Sequence, residues 1–353
     1  MRNPFVFGKV VKDKKIFCAR PKEEKILIDN IESNLNTYVI GERRIGKTSL
    51  ICSVLEDMKS TKDYLYISVD FRAVASESDA QRRLLQAILK SANEIKDLQW
   101  LGSLLSKLKP VATPNEEGRV EFTLSSFSSS HLDSLSLLET FDYIEKTNKR
   151  KKVIVFFDEF PDLLKMEGGD KVLGAMRSKI QHQSDIPYVL AGSHREEMRN
   201  IFENPDYHFY KSAFPLTIKK FDEKVIGPFC SNQFKLGKVE LSEEVFSEIF
   251  NITNGITGDI YELCHEIWDM SSESNIISFE MITKALNDIC DRRNEAFGNV
   301  ISNMTKIQKK VLRGIVLSKG DKIYTCLSGC GTTLAFRGLT GRKMSYVAYN
   351  GLI

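Results

Sequence analysis

The 353-residue chain has no apolar run near the roughly 18 residues that a membrane span needs. Its opening stretch, Met1-Arg2-Asn3-Pro4-Phe5-Val6-Phe7, is too short an apolar segment for a secretory signal. Both absences predict a cytoplasmic protein that does not use the membrane. Cysteine is sparse and without a pairing pattern. The seven residues Cys18, Cys52, Cys230, Cys264, Cys290, Cys326 and Cys330 lie scattered, which excludes a disulfide framework and suits reduced thiols. Cys326 and Cys330 form a lone C-x-x-x-C with no second pair or nearby histidine, short of the four ligands of a structural zinc. No charge of one sign prevails: the net charge is +3, which argues neither for nor against nucleic acid. The one dense basic run, Lys149-Arg150-Lys151-Lys152, precedes an apolar strand and reads as a solvated loop. No repeat period is visible. The hydrophobic share of 42% is that of an ordinary globular protein, and the length suits two or three domains.

The strongest positive signal is Gly41-Glu42-Arg43-Arg44-Ile45-Gly46-Lys47-Thr48-Ser49, which fits G-x-x-x-x-G-K-[ST]. Thr37-Tyr38-Val39-Ile40 before it reads as a buried strand, and Ser49 to Leu55 after it as a helix start. Such a strand–loop–helix wraps successive N–H groups around phosphate oxygens, and the two glycines permit the close approach. In this reading Lys47 reaches the β- and γ-phosphates of ATP, and the Thr48 hydroxyl holds Mg²⁺.

Lys152-Val153-Ile154-Val155-Phe156-Phe157-Asp158-Glu159 is the second signal. Five apolar residues in a row suit a strand buried on both faces of a parallel sheet. Two carboxylates follow at its C-terminal end, where open α/β sheets bind ligands. Asp158 is the expected Mg²⁺ partner, and Glu159 the general base that polarises the attacking water. Further strands are expected at Tyr64–Asp70, Pro187–Arg195 and Phe214–Ile218. The second of these three carries Ser193 and Arg195 near its end. Ser193 is a candidate contact for the γ-phosphate or the water. Arg195 is a candidate γ-phosphate sensor, in cis or across a subunit boundary, and Arg177 a second candidate for an arginine acting in trans.

The chain divides by pattern into an α/β core over 1–220, a helical region over 221–300 and a small domain over 301–353. In the core, Pro21 opens an amphipathic helix bearing Ile26, Leu27, Ile31 and Leu35; this segment either covers the adenine or simply packs. A helix is expected from about Ser78 to Leu101 and another over 134–147. Between them, prolines and serines mark 102–133 as an insertion, with Arg119–Leu124 alternating like one strand of a hairpin. The helices expected over 221–298 either close over the nucleotide as a lid or form a packing domain. A winged helix is expected at the C-terminus, although Cys326–Thr333 fits it poorly.

The order of these motifs resembles the AAA+ superfamily, in its STAND branch, and within it the bacterial and archaeal ATPase-domain proteins. The residues that carry the resemblance run from Asn3-Pro4-Phe5-Val6-Phe7-Gly8 and Phe17-Cys18-Ala19-Arg20 through the loop at Gly41–Ser49. They continue in Phe157-Asp158-Glu159-Phe160, Gly192-Ser193, Ile201-Phe202-Glu203-Asn204-Pro205 with Phe209-Tyr210, and Thr305 to Leu312. The resemblance implies a P-loop fold with a five-strand parallel core, an all-α lid and a winged helix. It implies ATP with Mg²⁺, places Lys47 and Thr48 on phosphate and metal, gives Asp158 and Glu159 the acidic roles, and puts Ser193 or Arg195 at the sensor position. One departure is Gly255-Ile256-Thr257, where such proteins often carry G-x-P; no lid arginine follows, which favours a slow switch over a fast motor.

Three readings of function follow. The first is an ATP-hydrolysing molecular switch that works on a protein partner or by self-assembly. The second is a DNA-binding loader or transposition-type regulator acting through its C-terminal domain. The third is a signalling scaffold that binds ATP and barely hydrolyses it.

Overall fold

A computed structural model describes residues 2–11, 13–92, 113–114, 120–121, 136–271 and 275–317. The chain forms two units, Val10–Lys219 and a second that joins Met1–Lys9 to the chain from Lys220 onward.

In the first unit, β1 (Thr37–Gly41), β2 (Leu65–Asp70), β5 (Val153–Asp158), β6 (Tyr188–Gly192) and β7 (Phe214–Ile218) build one sheet in the order β2-β5-β6-β1-β7. Every pairing is parallel. The expected α/β class and five-strand parallel core are therefore present. The sheet is covered on both faces, which is why its strands read as unbroken apolar runs. Val153, Val155 and Phe157 of β5 enter one core with residues of α3 (Glu77–Ala92), α4 (Leu137–Asn148), α5 (Gly169–His182) and α6 (Arg195–Glu203). Ile154 and Phe156 enter the opposite core with α1 (Pro21–Glu32) and α2 (Lys47–Lys62). The Phe157 ring lies within 5.1–6.2 Å of Phe71, Phe141, Phe160 and Tyr188. Burying one such side chain contributes about 1.5–3 kcal/mol, so this cluster holds rigid the strand whose last residue is Asp158.

One strand ends earlier than in the sequence reading. The strand expected to run to Arg195 stops at Gly192, and Arg195 opens α6, where Glu196 and Glu197 favour a helix N-terminus. The helix expected to reach Leu101 is present over Glu77–Ala92, and its expected remainder lies outside the described residues. Within the expected insertion, β3 (Thr113–Pro114) pairs antiparallel with β4 (Val120–Glu121). The rest of that insertion, and the winged-helix expectation beyond residue 317, lie outside the described residues.

The second unit contains α7 (Glu223–Leu236), α8 (Glu243–Ile252), α9 (Thr257–Met270), α10 (Phe279–Ser302) and α11 (Lys306–Leu317). Ser242 caps α8 by accepting the Val245 amide, and Gly255, at φ 65°, lets the chain turn after it. The N-terminal segment belongs to this unit. Phe5 is fully buried among Phe234, Tyr261 and Trp268, with centroids 4.6–6.2 Å away. Asn3 Nδ2 donates to the His265 carbonyl and to Asp269 Oδ1, and His265 Nδ1 meets the Phe5 carbonyl at 2.6 Å. The five described cysteines are free thiols, and no described helix is long and apolar enough to cross a membrane.

Candidate active site

Three adjacent strands, β5, β6 and β1, end side by side, and the sequence-predicted residues stand at or just past those ends. Gly41 closes β1; a Cβ there would meet the Ile218 carbonyl at 2.8 Å, so only glycine lets the loop leave the sheet at this point. Glu42, Arg43, Arg44 and Ile45 form the turn, with Arg44 at φ 64°, and Gly46 follows at φ 96°. Gly46 is also the N-cap of α2 and offers no side chain, so the first N–H groups of that helix face the loop without a protein cap.

Lys47, only 5% exposed, points into this loop. Its ammonium donates to the carbonyls of Gly41 and Glu42 at 3.0 Å each and lies 3.5 Å from Ser193 Oγ. Among the described residues it forms no ion pair. Burial lowers its proton affinity; Glu159 and Asp158 act in the opposite sense, and Arg43 and Arg195 add to the lowering. A buried cation held by carbonyl dipoles, beside an uncapped helix N-terminus, is a place built for an anion.

Thr48 Oγ1 donates to Asp158 Oδ2 at 2.8 Å. Burial is the main cause that raises the Asp158 carboxyl above its ordinary range, opposed by the Thr48 bond and reinforced by Glu159. Two hard oxygens at the C-terminal end of the strands, one of them an acid poorly compensated by its surroundings, suit a divalent cation such as Mg²⁺. Ser49, next along α2, accepts the Val11 amide at 3.1 Å.

Glu159 follows β5 in the left-handed region, at φ 49° and ψ 41°. A non-glycine residue held there carries backbone strain of about 1–3 kcal/mol, a mark of functional sites. Its carboxylate is clamped by Ser193, whose hydroxyl donates to Oε1 at 2.5 Å and whose amide donates to Oε2 at 3.0 Å. Arg72 stands 3.7 Å from the same Oε1. Arg72 is a partner that the sequence reading missed; its signal is a basic residue just past the end of β2, the strand next to β5. Arg195 is brought near Lys47 only as a field and is exposed. Arg177, half-buried on α5, joins none of these bonds. The arrangement thus gathers an anion cradle, a cation-binding oxygen pair and a carboxylate able to accept a proton from water.

A family described as an ATPase domain predominantly from Archaea matches residues 17–263. The chain belongs to this family. Both ATP motifs, at Gly41–Ser49 and Phe157–Glu159, lie inside the matched stretch, and the chain is a P-loop ATPase-domain protein. No curated protein matches it. Among solved structures it is similar to the Walker-type ATPase PABY2304 of Pyrococcus abyssi, at 18% identity and TM-score 0.63, over 98% of this chain and 92% of that one. It is also similar to the Aeropyrum pernix ORC1 protein, solved in complex with DNA, at 15% identity and TM-score 0.56, over 97% and 84%. The Aeropyrum pernix ORC2 protein follows at 12% identity and TM-score 0.59, over 90% and 78%. At these identities the likeness establishes the fold.

Proposed function

We propose that this ATPase-domain protein hydrolyses ATP in the presence of Mg²⁺ and uses the cycle as a switch, in the manner of the STAND branch. The observation that carries the reading is the clamp on Glu159 by the Ser193 hydroxyl at 2.5 Å, one bond away from the loop lysine. Both Glu159 oxygens here accept from Ser193. A γ-phosphate near Lys47 offers the Ser193 hydroxyl a second acceptor. Once that hydroxyl turns, Oε1 is released to act as base. Glu159 then accepts a proton from the attacking water, the water oxygen bonds to the γ-phosphorus, and the β–γ bridging P–O bond breaks, with its electron pair leaving on ADP. Lys47 exchanges its carbonyl partners for phosphate oxygens. Thr48 and Asp158 hold Mg²⁺, which neutralises phosphate charge when bound.

The helical unit is assigned the role of lid. Differential affinity of the two nucleotide states for a partner, or for a second copy, supplies the work. The decisive measurement joins phosphate release with solution mass by light scattering, under ADP and under a non-hydrolysable ATP analogue. Magnesium-dependent release that Glu159→Gln abolishes, with a mass or partner preference that follows the γ-phosphate, supports the switch. Release unchanged in the variant removes Glu159 as base.

One observation favours a DNA-acting alternative: Lys306, Lys309, Lys310 and Arg313 are all exposed on α11, and a fold relative was solved on DNA. Duplex binding that weakens steeply with salt supports it, and binding that is absent at low salt removes it.

A further inference from the structure

The chain crosses between its two units twice, at Lys9–Val10 and at Lys219–Lys220. On the α/β side, each crossing is hydrogen-bonded to the phosphate-loop segment. At the first, the Val11 amide donates to Ser49 Oγ at 3.1 Å. At the second, Arg20 Nη1 donates to the Lys219 carbonyl at 2.9 Å while Nη2 donates to the Ile45 carbonyl at 3.2 Å. Ile45 sits between the two left-handed positions of the loop, Arg44 and Gly46. Its carbonyl is therefore among the groups that turn if the loop changes conformation.

Arg20 is not a surface cation. It is 4% exposed, and burial lowers the proton affinity of its guanidinium while Glu23 and Cys18 act the other way. Its backbone amide is fixed by Glu24 Oε1 at 3.0 Å. A planar guanidinium with donors on two main-chain carbonyls is a rigid strut, since its fork geometry sets the distance between them. A lysine there carries the charge but concentrates its donors on one atom. The same neighbourhood has no slack on its other side, because Gly41 already abuts the Ile218 carbonyl, one residue before Lys219.

We propose that Arg20 and Ser49 are positioning residues that couple occupancy of the phosphate loop to both chain crossings. This inference rests on the nucleotide reading above. Lys47 holds the carbonyls of Gly41 and Glu42. Phosphate draws Lys47 off those carbonyls, the loop settles around the anion, and the Ile45 carbonyl and the first turn of α2 become fixed. Arg20 carries that fixation to Lys219, and Ser49 carries it to Val11. A site that alters the freedom of a distant segment in this way is coupled to it by a free energy that must act in both directions.

The test is hydrogen exchange on the full chain, with and without a non-hydrolysable ATP analogue and Mg²⁺, read at residues 9–11 and 217–222. Binding is followed in parallel with a fluorescent ATP analogue. In the wild type the analogue slows exchange at both crossings by about 5- to 150-fold, the usual range of such couplings. Arg20→Lys keeps nucleotide binding and loses most of the slowing at 217–222 while keeping it at 9–11. Ser49→Ala gives the reverse pattern, and Ser49→Thr, which retains the hydroxyl, restores it. Wild-type binding without a change at either crossing overturns the coupling and leaves the nucleotide reading intact; this outcome requires no variant to fold. Equal slowing in Arg20→Lys and wild type overturns the role of Arg20. A wild type that binds no nucleotide overturns both readings together.

Discussion

Lys47 and Asp158 in the α/β unit, and Glu262 and Glu266 in the helical unit, are all less than a tenth exposed. Their company is different. Glu262 is paired with Arg293, and Glu266 with Arg292 at 2.6 Å, a contact that raises the arginine's already high proton affinity. Lys47 is met by carbonyl oxygens and a hydroxyl, and Asp158 by a threonine and its own neighbour's amide. In the helices, buried charge is neutralised by charge and holds α9 against α10. At the C-terminal ends of the strands it is left incompletely compensated, and the cost is tolerated because a ligand removes it. Chains keep such local disadvantages where they have chemistry to perform.

Substitutions can break this contrast from either side. The largest effect is expected from Glu159→Gln, which should lower the ATP hydrolysis rate by about 10²–10⁴-fold in a phosphate-release assay while nucleotide binding persists. Next, Lys47→Ala should weaken ATP binding by about 100-fold, as loss of charge-assisted hydrogen bonds does, in a fluorescent-nucleotide titration. An unchanged dissociation constant would mean that the loop does not hold phosphate. In the helical unit, Arg293→Ala removes the ion pair of the buried Glu262 carboxylate. Because Arg293 is 38% exposed, the loss in urea unfolding should be about 2 kcal/mol, below the 3–5 of a fully buried pair, and hydrolysis should be unaffected.

The smallest effect has the opposite sign. Asp158→Asn should stabilise the ligand-free chain at neutral pH by about 0.5–2 kcal/mol, as substitutions that relieve a functional site do, while Mg²⁺-dependent hydrolysis is lost. The sign follows from the raised Asp158 carboxyl. The folded state binds this proton more tightly than the unfolded state, so the ionised carboxylate costs stability above the folded pKa, and that cost fades as pH falls towards the ordinary 3.8. The advantage of Asn should fade over the same window in thermal melts. An advantage that persists into acid would show that Asp158 is not the strained group.

The sheet was legible because burial on both faces leaves a strong mark. Val153–Phe157 can only be satisfied with a core above and below, and that is how it lies. The loop was legible because Gly41 and Gly46 mark two backbone needs, close approach and positive φ, within six residues. The carboxylates at the end of β5 were legible for the same local reason. Partnerships across long sequence separations were not. Nothing near Arg20 announces that its guanidinium lies on a carbonyl 199 residues away, and nothing near Ser193 says that its hydroxyl is held by Glu159 and not directed at open solvent. The end of β6 was read too long because Ser193-His194-Arg195 carries no breaker; the helix begins there because of acids that follow, not because of a cap.

Phe5 gives the helical unit a history as well as a shape. Its three aromatic neighbours lie at positions 234, 261 and 268, so Phe5 waits during synthesis for partners that come 229 to 263 residues later (234 − 5 and 268 − 5). At about 5–20 residues per second of synthesis, that wait is roughly 10–50 s. The α/β unit has time to fold in the interval, while the N-terminal segment carries an unsatisfied phenylalanine. The helical unit is therefore completed only after the α/β unit has been synthesised, from segments on both sides of it. A gene fragment that starts at Lys220 would encode those helices with a hole where Phe5 belongs, and the missing piece could be supplied as a short peptide.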